Sequence, residues 1–273
     1  VNAAPFDPSF LLFVPADRPD RFGKALASAA SGIILDLEDA VAIDAKAVAR
    51  EHVRAFLSAA ADVSRVVVRI NAPSTDDGLR DLEMLAGASR FAACMVPKAE
   101  GATELGATAA IVRGVPLIAL IETARGVARC ESIAETPGVI ALAFGPYDLA
   151  ADLGSDASSD VMLPHRARVL IAARASKRAA IDGPSREYGD GAIVARDAEA
   201  ARRLGFDGKL LIHLAQIEAV RAAFAPSPEE IAYARRVVDA ARRSSPAVLE
   251  GTMIDAPIVM AADRTLRRAA PQV

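Results

Sequence analysis

Cysteine is nearly absent from this 273-residue chain, which holds Cys94 and Cys130 and no others. Two cysteines are too few for a disulfide framework. No basic start followed by an apolar stretch and a small-residue cleavage site opens the chain, so a reducing, cytoplasmic setting is expected. Histidine is also scarce: His52, His165 and His213 lie far apart, with no HExxH and no Cys/His spacing, which argues against zinc. An excess of positive charge is missing. The net charge is −3 and the isoelectric point about 5.7, so neither a nucleic-acid nor an anionic-membrane surface is expected. Half the residues are hydrophobic, 52%, and mean hydropathy is +0.25, yet much of this is alanine. No apolar stretch approaches the roughly 18 residues of a membrane span. GxGxxG, Walker A and GxSxG patterns are all lacking, which weakens dinucleotide, NTP and serine-hydrolase readings.

What is present is a series of short apolar runs ending in charge. IILDLEDA (33–40), VVVRIN (66–71), PLIALIET (116–123) and VIALAFGPYD (139–148) each read as a strand buried on both faces. Further runs near 11–14, 93–96, 179–181 and 210–212 bring the number to eight, and helical spacing fills the gaps, as at Phe22, Ala25, Leu26 and Ala29, or Val53, Phe56, Leu57 and Ala60. Eight alternating strands and helices in a chain this long predict an α/β fold, a (β/α)8 TIM barrel. Asp17 is expected to cap the first helix, with Pro19 in its opening turn, and Asp44 the second. AIDGPSREYGDG (180–191) reads as a long loop over the barrel mouth. The barrel is expected over 1–225 and a C-terminal helical extension over 226–273. That extension holds a helix over 229–243, a break at Gly251, and a last helix capped by Asp255 with Pro257 in its first turn. It either completes a neighbouring active site as a lid or only packs on the outside.

Barrels of this kind place their chemistry at strand C-termini, so Glu38, Arg69, Glu122 and Asp148 are expected at one mouth. Glu122 and Asp148 end adjacent strands. Two hard oxygen donors with room for substrate oxygens and water suit Mg²⁺, whereas as single residues each reads equally as a helix-capping acid. Arg69 offers a planar fork to a carboxylate or enolate oxygen, or else a structural salt bridge to Asp36 or Glu38. Asp36 and Glu38 share a strand face, and with Asp39 they can orient the arginine or hold an acid or base. Lys98 is either a Schiff-base lysine or the partner of a rim carboxylate. Arg18, Arg21 and Lys24 form the basic cluster nearest the mouth, a candidate for a phosphate-bearing carrier such as coenzyme A, or a solvated helix face. His213, after the last strand, reads as a hydrogen-bonded structural histidine, or else as a contact to substrate.

Eight motifs in order, FVPADRPDRF, LDLEDAV, VRIN, MVPKAE, LIETARGV, GPYDLAADLG, GFDGKLLIH and EGTMIDAPIV, resemble the citrate lyase beta-subunit-like proteins, relatives of malyl-CoA and citramalyl-CoA lyases. The likeness runs from about residue 10 to 268. It implies a (β/α)8 barrel that binds Mg²⁺ and cleaves 3-hydroxyacyl thioesters as a trimer or dimer of trimers. It also implies that Glu122 and Asp148 are the metal ligands and that Arg69 binds the keto- or hydroxy-acid part of the substrate. The amides after Gly145 would hold the substrate carboxylate, and Asp255 would be an acid/base delivered on the C-terminal lid of an adjacent subunit.

Three positions bear on how far the resemblance carries. Leu214 stands where many relatives have proline after the last strand. Pro146 has no amide to donate, which leaves Tyr147 and Asp148 to hold a carboxylate. Asp39 stands where the more distant pyruvate-type aldolases carry histidine, which favours the thioester branch. The implied reaction is a retro-Claisen cleavage giving an acyl thioester and a 2-keto acid. A magnesium-dependent pyruvate-type aldolase and a non-catalytic metal- or keto-acid-binding subunit remain the other readings. Cleavage with or without thioester hydrolysis, on coenzyme A or an acyl carrier protein, is compatible with these residues.

Overall fold

Each of the eight apolar runs forms a strand in the computed structural model, which describes residues 6–88, 91–243 and 247–269. The strands are β1 Phe10–Pro15, β2 Gly32–Asp36, β3 Val66–Arg69, β4 Ala93–Val96, β5 Leu117–Ile121, β6 Val139–Phe144, β7 Ala179–Asp182 and β8 Gly208–Leu211. All neighbours pair in parallel, and β1 pairs with both β2 and β8, closing the barrel. A parallel sheet covered by helices has no wet face, so its strands need apolar residues at nearly every position. Leu11, Ile34, Val67, Met95, Ile118, Leu120, Ile181 and Leu210 accordingly form one buried cluster.

Helices follow the strands, and several begin on side-chain caps. Thr75 accepts from Gly78 N to start Asp76–Ala86, Thr123 from Gly126 N to start Ala124–Glu135, and Asp190 from Ala192 N and Ile193 N to start Gly191–Leu204. Each cap satisfies an amide that the first helical turn leaves without an intrahelical partner. The two caps expected from sequence are not formed. Pro19 opens a 3-10 turn over Pro19–Arg21, so the cap position falls on Arg18, one residue after Asp17, with no side-chain bond. Asp44 lies inside a second 3-10 turn, Ile43–Ala45, and the helix Lys46–Ala59 starts after Ala45. In both cases the tighter turn moves the boundary past the acid.

Backbone contacts divide the chain into a compact unit that ends at Val220 and another that runs on from Arg221. The second unit contains the helix Pro228–Arg243, a hairpin of β9 Ala247–Leu249 and β10 Thr252–Ile254, and the helix Ala256–Ala269. Gly251 does break the chain there, as the second of two hairpin-turn residues with positive φ, Glu250 at 51° and Gly251 at 78°, the geometry that two-residue hairpins favour. Ala234, Val237, Ile254 and Ala262 make its small core. Asp255 caps the last helix, its Oδ1 accepting from Ile258 N at 3.2 Å, and Pro257 sits in the first turn. Among the described residues no helix is long and apolar enough to cross a membrane.

Candidate active site

Strand register brings the first charged pair together. Asp36 at the end of β2 is the direct partner of Arg69 at the end of β3, and adjacent strands lie only about 4.8 Å apart. Arg69 therefore grips Asp36 with both prongs of its guanidinium, Nε to Oδ1 at 2.7 Å and Nη2 to Oδ2 at 2.6 Å. Its Nη1 lies 2.8 Å from Glu38 Oε2 and 3.7 Å from Asp39 Oδ2. The Glu38 contact is off the hydrogen-bonding direction, so it acts as charge against charge. Arg69 also stands over the Phe13 ring, 4.8 Å from its centre. Burial works against its charge, but Asp36 and then Glu38 outweigh this and hold its pKa above the ordinary value. Both the substrate-binding and the structural reading of Arg69 thus start from an arginine already fixed in place.

Glu122, one residue past β5, is 2% exposed. Its Oε1 accepts the backbone N–H of Lys98 at 2.9 Å. On its other side lies Gly145, where an added Cβ would come within 2.5 Å of Glu122 Cβ and 2.6 Å of Oε2; only glycine lets the start of the next helix approach this closely. Burial, then the charge of Glu38 and that of Asp148, push the Glu122 pKa up to about 8 against the opposing pull of Arg69 and Lys98. Asp148, half-buried, stands in the first turn of the helix Pro146–Leu153. Gly145 N is spent on Ile121 O at 2.9 Å and Pro146 has no N–H. The first-turn donors left at this helix end are the amides of Tyr147 and Asp148.

Lys98 bridges the two halves of the cluster. Its Nζ lies 2.5 Å from Glu38 Oε1, which makes it the partner of a rim carboxylate. Burial raises the Glu38 pKa, and Arg69 and Lys98 counter it. Beneath, the segment after β2 is tied down by groups that sequence reasoning missed. Lys46 Nζ donates to Leu37 O, Glu38 O and Asn71 Oδ1 at 2.9, 3.0 and 2.6 Å. Asn71 donates in turn to Leu37 O and Asp81, and Asp81 accepts from Arg50 Nε at 2.6 Å. Asn71 follows β3, while Lys46 and Arg50 share the buried face of their helix with Val53 and Leu57, and Asp81 that of its own with Leu82 and Leu85; charged side chains at such positions read from sequence as solvated.

The remaining expected residues fall elsewhere. Arg18 pairs with Asp20 in an exposed bridge, and Arg21 and Lys24 are exposed on the first helical turns. Tyr147 turns its hydroxyl to Pro184 O at 3.0 Å, beneath the Arg186 guanidinium, so its backbone amide rather than its side chain belongs with Glu122 and Asp148. His213, exposed, accepts from Ala215 N and lies against the Tyr188 ring with ring centres 4.7 Å apart. Asp255 belongs to the second compact unit and is exposed.

A second charged cluster escaped sequence reasoning although the same signal, charge in or at the end of an apolar strand, marks it. Lys209 in β8 bonds Asp182 and Gly183 O at 2.8 and 2.6 Å and lies 2.9 Å from Asp197, while Arg166 grips Asp182 with two bonds. These groups floor a cavity of about 250 Å³ walled by Phe144, Met162 and Ile193. Their charges are satisfied by one another. Gln216 holds the loop above through Ser185 O and Glu187 O, at 2.8 and 2.7 Å, and accepts from Ile212 N and His213 N.

A closed parallel barrel with carboxylates, an arginine and a lysine at its strand ends defines a TIM-barrel protein with a charged mouth in which carboxylates predominate. Residues 9–214 match the model of the HpcH/HpaI aldolase/citrate lyase family, and the chain belongs to that family. It is 42% identical over 268 residues to a citrate lyase subunit beta-like protein of Mycobacterium tuberculosis, covering 94% of each chain. To a (3S)-malyl-CoA thioesterase of Cereibacter sphaeroides it is 37% identical over 267 residues, covering 95% of this chain and 93% of the relative. The crystal structure of the protein CitE from M. tuberculosis in complex with magnesium, acetoacetate and coenzyme A superposes with a TM-score of 0.86 at 40% identity, covering 98% of this chain and 99% of the other.

Proposed function

We propose that this chain is a magnesium-dependent carbon–carbon lyase that cleaves a 3-hydroxyacyl thioester of the malyl, citramalyl or citryl type into an acyl thioester and a 2-keto acid. The observation that carries the reading is Glu122, a carboxylate buried among other carboxylates with its pKa pushed up to about 8. Such a group is costly to ionise unless a cation joins it. Glu122 and Asp148 would hold that cation. Among the described residues no group of three or more His, Cys, Asp or Glu forms a cage, and a two-carboxylate donor set fits Mg²⁺, which keeps positions for water and substrate. When bound, magnesium supplies a Lewis acid that lowers a hydroxyl pKa and polarises a forming ketone.

The chain's own groups divide the remaining work. Arg69, held by Asp36, directs its remaining N–H groups to the oxygen that becomes the keto group. The Tyr147 and Asp148 amides take the substrate carboxylate, with charge favoured at a helix N-terminus. Glu38 and Asp39 keep Arg69 oriented and stand as acceptors for the hydroxyl proton. As that proton leaves, the C2–C3 bond breaks, its electron pair passes into the thioester enolate, and Asp255 protonates the enolate carbon. Arg18, Arg21 and Lys24 would hold the phosphates of coenzyme A. The Asp255 role rests on the family resemblance, as does assembly as a trimer or dimer of trimers with residues 226–273 as the lid.

The test is a panel of malyl-, citramalyl-, citryl- and hydroxymethylglutaryl-CoA incubated with the protein, with and without Mg²⁺, and products read by mass. A keto acid with an acyl-CoA, formed only with Mg²⁺, is expected; no keto acid from any member rejects the lyase reading. The kinship with a (3S)-malyl-CoA thioesterase supports a second reading, thioester hydrolysis. It is recognised in the same incubation by free coenzyme A and malate without glyoxylate.

A further inference from the structure

Lys98 holds an unusual backbone for its residue type. Its φ is +47°, a left-handed conformation that a side chain with a Cβ rarely adopts. The other described non-glycine residues with positive φ are Arg113, Lys177 and Glu250, which end helices or turn the C-terminal hairpin. Lys98 instead stands just past β4, among the barrel's carboxylates. The next residue, Ala99, donates to Leu120 O at 3.1 Å, which stitches the turn to β5.

The twist gives one residue two opposite tasks. Its amide donates to Glu122 Oε1 at 2.9 Å, while its ammonium lies 2.5 Å from Glu38 Oε1. Both glutamates are buried, at 2% and 6% exposure, and the charge of each disfavours the charge of the other. With Oε1 of Glu122 held by Lys98 and Oε2 against Gly145, the carboxylate is fixed in orientation. Glu38 is held from one side by Lys98 and from the other by Arg69, and so is kept from turning to the cation site.

We propose that Lys98 is a positioning residue that sorts the two buried glutamates, occupying Glu38 with its ammonium and aiming Glu122 with its amide, so that the cation site stays a two-carboxylate site. A third carboxylate would bind a divalent cation more tightly but take a coordination position that substrate oxygens need. The proposal rests on the metal reading given above, and the Schiff-base role has no part in it.

The measurement is calorimetric titration of chelator-treated full-length protein with Mg²⁺, and then of the Mg²⁺-saturated protein with oxaloacetate. Loss of one positive charge beside the site should tighten Mg²⁺ binding in Lys98→Met by about threefold or more. Oxaloacetate binding should weaken by about tenfold, as expected if one ligand position is lost. Lys98→Arg, which keeps the charge, should return both affinities toward those of the unaltered protein, and so should adding Glu38→Gln to Lys98→Met. If Lys98→Met does not fold, Lys98→Gln keeps a hydrogen bond for Glu38 without the charge and carries the same expectation. A neutral variant with both affinities unchanged, or both weakened in parallel as a structural defect would do, overturns the proposal. Failure of the unaltered protein to bind Mg²⁺ overturns the metal reading and this one with it, whereas normal binding with an indifferent Lys98 variant overturns this one only.

Discussion

Replacing Glu122 by glutamine tests the electrostatics of the site without any substrate. Glutamine copies the protonated acid in shape and keeps an oxygen for the Lys98 amide. The Glu122 pKa rises from the ordinary 4.5 to about 8 on folding, because of burial first and the Glu38 charge second. Between those two values the folded chain keeps a proton that the unfolded chain has lost. Stability from this group is therefore fully present below about 4.5 and declines as pH rises, until it is lost above about 8. At about 1.36 kcal/mol per unit the full span is worth roughly 5 kcal/mol, of which about 3 kcal/mol has been lost by pH 7. The variant lacks this titration. In chelator, the two proteins should have similar stability at low pH. Glu122→Gln should then become the more stable as pH rises, by about 6–12 °C in Tm at pH 7 for a domain of this size. Urea and thermal unfolding in steps from pH 4.5 to 9 measure the difference. A gap that stays constant across that range would refute the claim that Glu122 is a strained, proton-holding carboxylate. Added Mg²⁺ should raise the Tm of the unaltered protein and leave that of the variant in place, since a ligand stabilises only the state that binds it.

Three further perturbations address other parts of the site. Arg69→Met strands Asp36 and Glu38 without their counter-charge and should cost about 3–5 kcal/mol by urea unfolding; a cost below about 1 kcal/mol would mean the pair is not the buried clamp described. Gly145→Ala would drive a methyl to within 2.5 Å of Glu122 Cβ. It should weaken Mg²⁺ binding by about tenfold with the far-ultraviolet dichroism kept, and unaltered calorimetry would show that the close approach is not needed. Asp255→Ala should slow cleavage by about 10² to 10⁴ while Mg²⁺ and oxaloacetate binding stay as they were; undiminished turnover removes Asp255 from the mechanism.

The barrel was legible because a parallel sheet buried on both faces writes itself as uninterrupted apolar runs. The same background exposes any charge within it, which is why Arg69 and Glu122 stood out, and why Asp182 and Lys209 could have. The caps assigned to Asp17 and Asp44 failed because a 3-10 turn shifts a helix start by a residue or more, and no pattern distinguishes that from an α-helical start. Lys46, Arg50 and Asp81 stand at helical spacing from the apolar residues of their own faces, Val53 and Leu57 or Leu82 and Leu85, but a charged side chain in a helix reads as solvated. They are buried because each meets a partner from another element, Lys46 the carbonyls of Leu37 and Glu38, and Arg50 the Asp81 carboxylate on the following helix.

The amino-acid sequence by itself determined the strands, their parallel order and the charges at their ends, since these follow from local hydrophobic pattern and from the cost of burying a charge. Tertiary structure alone decided which charges meet. The grip of Arg69 on Asp36 comes from strand register, the pinning of Glu122 from a left-handed Lys98 and a glycine in a neighbouring loop, and the high pKa from the summed burial of groups far apart in the chain. Contacts of this kind depend on distances of 2.5–3 Å between separate elements, and no local pattern in a sequence encodes them.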